Sequence, residues 1–285
     1  MGMWTVTDER PWGTKSLRRV GEHIRTGASL SHNDPSYDQV MLWYNDLATW
    51  VQSEIEAMDW GPLLPGTRPS LVSRPKTIDT LRQKLDRQPT LDMGSVQDIA
   101  GVRFEAEMTL DQQDAIASAI AAHFDHDPDD GGCVRDLRTS SHSGYRAVHV
   151  WLRFEKRGRV EVQVRTHMQG AWANLFERAA DVLGRNIRYG ELPAEDPERL
   201  FVRNMISLSE NGLVTLERLR NDVARDQLFV DDGRRGLLAP QDLGRPIMDI
   251  PRAWSTIRET ERLVLDGLDT IKAGLAGYGD ETEGK

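Results

Sequence analysis

The stretch Val160-Glu161-Val162-Gln163-Val164-Arg165-Thr166 alternates valine with a polar or charged residue. Side chains of a strand point to opposite faces with period two, so the valines face a core while Glu161, Gln163 and Arg165 share the other face. A surface strand shows the same alternation, so the pattern alone does not make that face a site. Its neighbours decide. Glu155 to Gly158 reads as a charged hairpin turn, and the run before it goes from a glycine turn at Gly144 into a strand ending near Leu152. In that run Tyr145 and His149 are four residues apart and share a face, with Val148 and Val150 on the other. A tyrosine beside a glycine suits stacking on a nucleobase and equally suits the rim of a core. Beyond the valine strand, Thr166 and Gln169 have the form of a helix capping box, and Met168, Ala171, Trp172, Leu175, Ala179 and Leu183 continue as a helical stripe.

Upstream, Val102, Phe104 and Ala106 alternate as the inward side of a second strand with Asp98 at its entrance. Leu110 to Phe124 reads as a helix with Ala115, Ile116, Ala119, Ile120 and Phe124 on its apolar side. Strand, helix and strand in succession predict an α/β or α+β layer. Before them, Thr80, Lys84 and Arg87 fall on one face of a helix whose N-terminal end carries Arg74 and Lys76. Cations beside the positive end of a helix suit a polyphosphate; a solvated basic face has the same spacing.

The remaining features bound the problem. The chain has 285 residues, 39% of them hydrophobic, which is enough for a substantial core in one or two domains. A net charge of −9 argues against a broad nucleic-acid footprint and leaves room for a local basic patch. Met1 to Lys15 lacks an apolar signal core, and no uncharged apolar run reaches the length of a membrane span, so the expectation is a cytoplasmic protein that makes no membrane contact. The single cysteine, Cys133, excludes an internal disulfide and reads as structural. The acidic run Asp125 to Gly132 imitates a calcium loop, but Asp130 stands where the sharp turn needs glycine, so that reading is rejected.

Tyr37 to Met58 carries the stripe of an amphipathic helix, with turn signals at Asn33, Asp34 and Pro35 before it. The residues up to Ser31, Trp4 and Trp12 among them, show only a weak helical pattern and read as an arm or partner surface. Past Pro193, Leu200 to Leu219 predicts one long helix, Arg234 to Pro251 a loop, and Trp254 to Leu275 a second helix. These helices suit completion of the core, an oligomer interface or an antitoxin dock; Gly277 to Lys285 is polar and expected to be disordered.

Arg74 and Lys76, Lys84 and Arg87, the run Asp98 to Arg103, the run Gly144 to His149 and the run Glu161 to Thr166 stand in an order that resembles the synthetase domain of RelA/SpoT proteins, closest to the small alarmone synthetases. The resemblance covers roughly residues 71–190, with a helical region at 1–70 and another, with its tail, at 191–285. It implies an α+β fold, a nucleotidyltransferase-like mixed sheet flanked by helices. It also implies transfer of the β,γ-pyrophosphate of ATP to a ribose 3′-hydroxyl. Asp98 and Glu161 would hold magnesium against ATP, and Glu161 would take the proton of the attacking hydroxyl. Arg74, Lys76, Thr80, Lys84 and Arg87 match the ATP side; Tyr145, His149, Gln163 and Arg165 match the acceptor side.

One departure concerns the acceptor. Guanosine alarmone synthetases usually carry a lysine and an asparagine just before the Gly-Tyr pair, where this chain has Ser141 and Ser143. The missing lysine removes a cation expected near the acceptor's 5′-phosphates. The run Gly144 to His149 and the stretch from Trp172 to Gly190 look more like the toxic branch of the family, which makes adenosine alarmones or pyrophosphorylates the 3′ end of tRNA. Arg178, Arg185 and Arg188 would then form a patch for an RNA end. The expected partners are ATP, tRNA or a guanosine or adenosine nucleotide, an antitoxin protein and a second copy of the chain. A domain without catalysis that only binds nucleotide is the rival from another class, and the presence of both Asp98 and Glu161 argues against it.

Overall fold

The computed structural model describes residues 9–139, 143–237 and 247–283. Ser141 and Trp4, on which two of the sequence readings rest, lie outside them. The chain divides into two compact units, one of residues 1–106, 115–136 and 148–164, the other of residues 107–114, 137–147 and 165–285.

The first unit is built on a mixed five-stranded sheet in the order β1-β2-β5-β4-β3. The strands are β1 (Ser70–Pro75), β2 (Ala100–Ala106), β3 (Val134–Asp136), β4 (Val148–Phe154) and β5 (Gly158–Thr166). Alternation in β2 comes out as expected: Ala100, Val102, Phe104 and Ala106 are buried. In β5 the three valines are fully buried, and so very nearly are Glu161, at 8% exposure, and Arg165, at 1%. The polar face is therefore not a solvated surface. β4 and β5 pair antiparallel, so that residues equidistant from Lys156 lie opposite one another, His149 against Gln163 and Trp151 against Glu161. Their turn is tight. Lys156 adopts a positive φ of 57°, and a Cβ at Gly158 would come within 2.9 Å of the Tyr44 ring, so only glycine fits there.

Helix α1 (Thr14–Thr26) belongs to the expected helical extension but packs into the unit where an arm or partner surface was expected: Leu17, Val20 and Ile24 recur at three and four residue steps and are buried against α3 (Ile78–Arg87) and the turn at Met93–Ser95. The periodic signal was sparse because most of the helix surface is polar. Helix α2 (Tyr37–Ala57) starts at a capping box of Ser36 and Gln39, worth about 1 kcal/mol. It packs against β1 and β2, with Val40, Tyr44, Leu47, Val51 and Ile55 buried. Helix α4 (Leu110–His123) falls where its apolar side predicted it. Cys133 is buried, its thiol directed at the carbonyl of Asp127.

The second unit is helical. Helix α5 (His167–Leu183) opens at the capping box of Thr166 and Gln169 and buries Met168, Trp172, Leu175 and Ala179. Helices α6 (Asp196–Ser207), α7 (Val214–Arg234) and α8 (Ile250–Glu283) close a second core over it, with Val202, Met205, Leu216, Val223, Ile257 and Leu268 buried. These helices therefore complete a core. Two details differ from the sequence reading. A π-helical stretch at Leu208–Leu213 separates α6 from α7 where one unbroken helix was expected. Helix α8 runs on to Glu283, past the end of its apolar stripe, where disorder was expected.

Candidate functional site

Asp98 sits just ahead of β2 and is placed by its neighbour. The Gln97 amide, almost fully buried, donates to the carbonyls of both Leu152 and Val160, pinning the entrance of β2 to the β4 and β5 hairpin. Two ammonium groups then converge on the Asp98 carboxylate: Lys76 Nζ at 2.5 Å from one oxygen and Lys84 Nζ at 2.7 Å from the other. Lys76 follows β1, and Lys84 reaches in from the second half of α3. Burial raises the carboxyl's pKa and Glu161's charge pushes the same way, but the two lysines outweigh them and hold it below the ordinary value.

Glu161 is held differently. His149 Nδ1 lies 3.1 Å from Oε1, the Trp151 indole donates to the same oxygen at 3.2 Å, and the Gln163 amide donates to Oε2 at 2.8 Å. All three donors come from β4 and β5, and the period of two puts them on Glu161's face. Burial, the largest single influence, raises this pKa; His149, Gln163 and Lys84 together overcome it and hold the carboxyl at about 2. Both carboxylates are thus ionised at neutral pH although both lack full hydration.

The sequence-predicted residues separate on this geometry. Lys76, Lys84, Asp98, His149, Glu161 and Gln163 come together. Thr80 does not join them: its hydroxyl donates to the Thr77 carbonyl in the cap of α3. The exposed Arg87 donates to the Gln83 carbonyl of its own helix, and Arg74 is an exposed residue of β1. Tyr145 lies ahead of β4, so the strand reading that put it on one face with His149 is corrected. In the second unit Tyr145 pairs with Arg165, whose guanidinium carbon is 5.1 Å from the ring centroid and whose Nη2 donates to the tyrosine hydroxyl at 2.9 Å. One ring face thus carries a cation. Of the arginines read as an RNA patch, Arg185 and Arg188 both lie against Asp181, at 3.8 and 3.2 Å.

Trp151 was missed as a member of the centre, and Arg135 stacks over its ring at 5.0 Å. Counting outward from the turn at Lys156 would have found Trp151 opposite Glu161.

Two oxygen-donor carboxylates at one place are a set that magnesium accepts beside phosphate oxygens, and their mutual repulsion is what a cation would relieve. The residues fit the ion: Asp98 and Glu161 would hold it, with Lys76 and Lys84 free to turn to phosphate. Among the described residues no helix is long and apolar enough to cross a membrane.

Comparison with known proteins gives the following. Residues 73–180 match the family profile described as the region found in RelA / SpoT proteins. Two uncharacterized proteins, one of Mycobacterium tuberculosis strain H37Rv and one of Mycobacterium bovis, are each 45% identical to the chain over 185 residues, 65% of this chain and 65% of theirs. The chain thus covers slightly less than two thirds of the length of those relatives. Among solved structures, the small alarmone synthetases 1 and 2 from Bacillus subtilis superimpose with TM-scores of 0.47 and 0.46 at 18% and 17% identity, covering 66% and 67% of this chain and 98% of each of theirs. The matched residues 73–180 carry every group of the carboxylate centre.

Proposed function

We propose that the chain is an ATP-dependent pyrophosphokinase of the small alarmone synthetase kind, which moves the β,γ-pyrophosphate of ATP to a ribose 3′-hydroxyl. The observation that carries this reading is the pair Asp98 and Glu161, both held ionised, with two lysine ammonium groups on the first. Transfer of a phosphoryl-type group asks a protein for positioning and for offset of charge, with little covalent chemistry of its own. Lys76 and Lys84 supply positive charge that Asp98 stores in place until a triphosphate arrives. Magnesium, when bound, supplies Lewis-acid offset of charge on the phosphate oxygens.

In the reaction the acceptor's 3′-oxygen bonds to the β-phosphorus, the bond from that phosphorus to the α,β-bridging oxygen breaks, and AMP leaves with the electron pair. Glu161 takes the hydroxyl proton. His149, Trp151 and Gln163 fix the carboxylate's direction.

For the acceptor, Tyr145 and Arg165 offer an aromatic face and a guanidinium, the chemistry that receives a nucleobase. The motifs lean toward the toxic branch and a tRNA 3′ end. Arg185 and Arg188 share the one carboxylate of Asp181, so that cluster keeps a net positive charge that suits a phosphate-bearing acceptor of either kind. The test offers γ-labelled ATP and magnesium with GDP, GTP, AMP, ADP, ATP or deacylated tRNA in separate reactions. Label on a free nucleotide makes the chain an alarmone synthetase; label on tRNA alone makes it a translation-blocking enzyme. No label on any acceptor, with ATP still bound, makes it a nucleotide-binding module and ends the pyrophosphokinase reading.

A further inference from the structure

Within the second unit, the segment that carries Tyr145 is gripped by residues far beyond position 180. Gly144 has φ of 76°, and a Cβ there would lie 3.0 Å from the Trp172 ring and 3.2 Å from Ile206 and Ser209, so the segment enters a slot that only glycine fits. Its carbonyl accepts from the Ser209 hydroxyl at 2.5 Å, and Ser209 lies in the π-helical stretch between α6 and α7. On the other side of Tyr145, Arg146 donates from Nη2 to Glu217 Oε2 at 2.8 Å, and its Nη1 donates to the carbonyl of Arg138. The remaining oxygen of Glu217 accepts from the Thr166 hydroxyl at 2.6 Å. Both members of the ion pair are buried, at 8% and 4% side-chain exposure.

The connectivity singles out Glu217. Arg146 follows Tyr145, and Thr166 follows Arg165, so one carboxylate on α7 ties together the immediate neighbours of the two residues that form the aromatic and guanidinium pair. A buried ion pair adds little net stability and much geometric definition, since each partner accepts few alternatives in a low-dielectric setting. We propose that Glu217 is a positioning residue for the acceptor: it sets the Tyr145 ring against Arg165, with Ser209 holding the glycine before it. The proposal rests on the pyrophosphokinase reading for its kinetic consequence and on geometry alone for its structural one. It places part of the acceptor specificity in the C-terminal helices, outside the RelA/SpoT region.

The experiment uses the full chain with Glu217→Gln, Glu217→Asp and the double variant Arg146→Met with Glu217→Leu, which leaves no buried charge unpaired. Two readouts are taken. Hydrogen exchange at residues 144–147 is expected to quicken about tenfold in Glu217→Gln and in the double variant, while residues 160–164 keep their protection. With an acceptor that the wild-type chain labels, KM for that acceptor is expected to rise about tenfold, KM for ATP to stay within about twofold, and Glu217→Asp to recover most of the loss. Unchanged exchange at 144–147 overturns the proposal whatever the acceptor, and so does faster exchange with an unchanged acceptor KM. A double variant that folds and matches the wild type in both readouts overturns it as well. If the wild type labels no acceptor, the pyrophosphokinase reading fails, and the exchange data alone decide whether Glu217 positions the segment.

Discussion

Glu161 and Tyr145 are held by different kinds of structure. Glu161 takes its hydrogen bonds from His149, Trp151 and Gln163, all within one antiparallel hairpin whose register follows from its turn. Tyr145 lies ahead of β4 and meets Arg165 at the end of β5, and its sequence neighbours Gly144 and Arg146 are tied to Ser209 and Glu217 in the C-terminal helices. Chemistry placed by a hairpin is fixed locally and travels with a short motif. Recognition placed by distant helices can change while that motif stays intact. The difference makes the two regions separable by experiment.

The largest effect expected on the hairpin side is from Glu161→Gln, which keeps the volume and removes the charge. Transfer should fall by on the order of 10³-fold while ATP still binds, as read by single-turnover transfer and by equilibrium binding of ATP. Appreciable transfer by that variant removes Glu161 from its role. Asp98→Asn leaves Lys76 and Lys84 without their carboxylate; transfer should fall by roughly 10²-fold, and added magnesium should not restore it. On the other side of the comparison, Tyr145→Ala should weaken the acceptor by about 10-fold with little change for ATP, the worth of one base stacked on an aromatic ring. An equal loss for both substrates would erase the distinction between the regions.

A smaller effect reads the hairpin alone. The Glu161 carboxyl is lowered from 4.5 to about 2, so its interactions stabilise the folded chain fully above its unfolded value and are lost as pH falls toward 2. Asp98, lowered as well, adds in the same direction. Denaturant melts between pH 5 and 2 should show stability falling with acid in the wild type and falling less in Glu161→Gln. Parallel curves for the two proteins would mean that Glu161 does not titrate as its surroundings require.

How much of this was legible in the chain follows from the same contrast. The valine strand was legible from its alternation, whereas Asp98, Glu161, His149 and the two lysines stood out through the order of motifs that resembles the RelA/SpoT synthetase domain, since spacing alone suits a surface strand and a solvated basic face as well. Helix spacing put Thr80 and Arg87 on a face with Lys84, but spacing says which residues share a side and nothing about which partner each will take. Thr80 turned to its own cap. Tyr145 was read into a strand that begins only at Val148, because the glycine turn and the apolar alternation that follows look continuous in sequence. The grip of Glu217 had no local signal, since a glutamate on a charged helix is ordinarily solvated and only the packing of α7 makes it a buried partner of Arg146. Helix α8 outlasted its apolar stripe for a related reason: a tail judged by polarity carries no mark of the helix it continues.

The central claim is transfer of a pyrophosphate as one piece, and the most direct measurement is the identity of the nucleotide left behind. With ATP, magnesium and an acceptor that takes label, the chain should release AMP in a one-to-one ratio with the pyrophosphorylated product. Release of ADP with a singly phosphorylated acceptor, or of AMP and free pyrophosphate with no acceptor product, would contradict it.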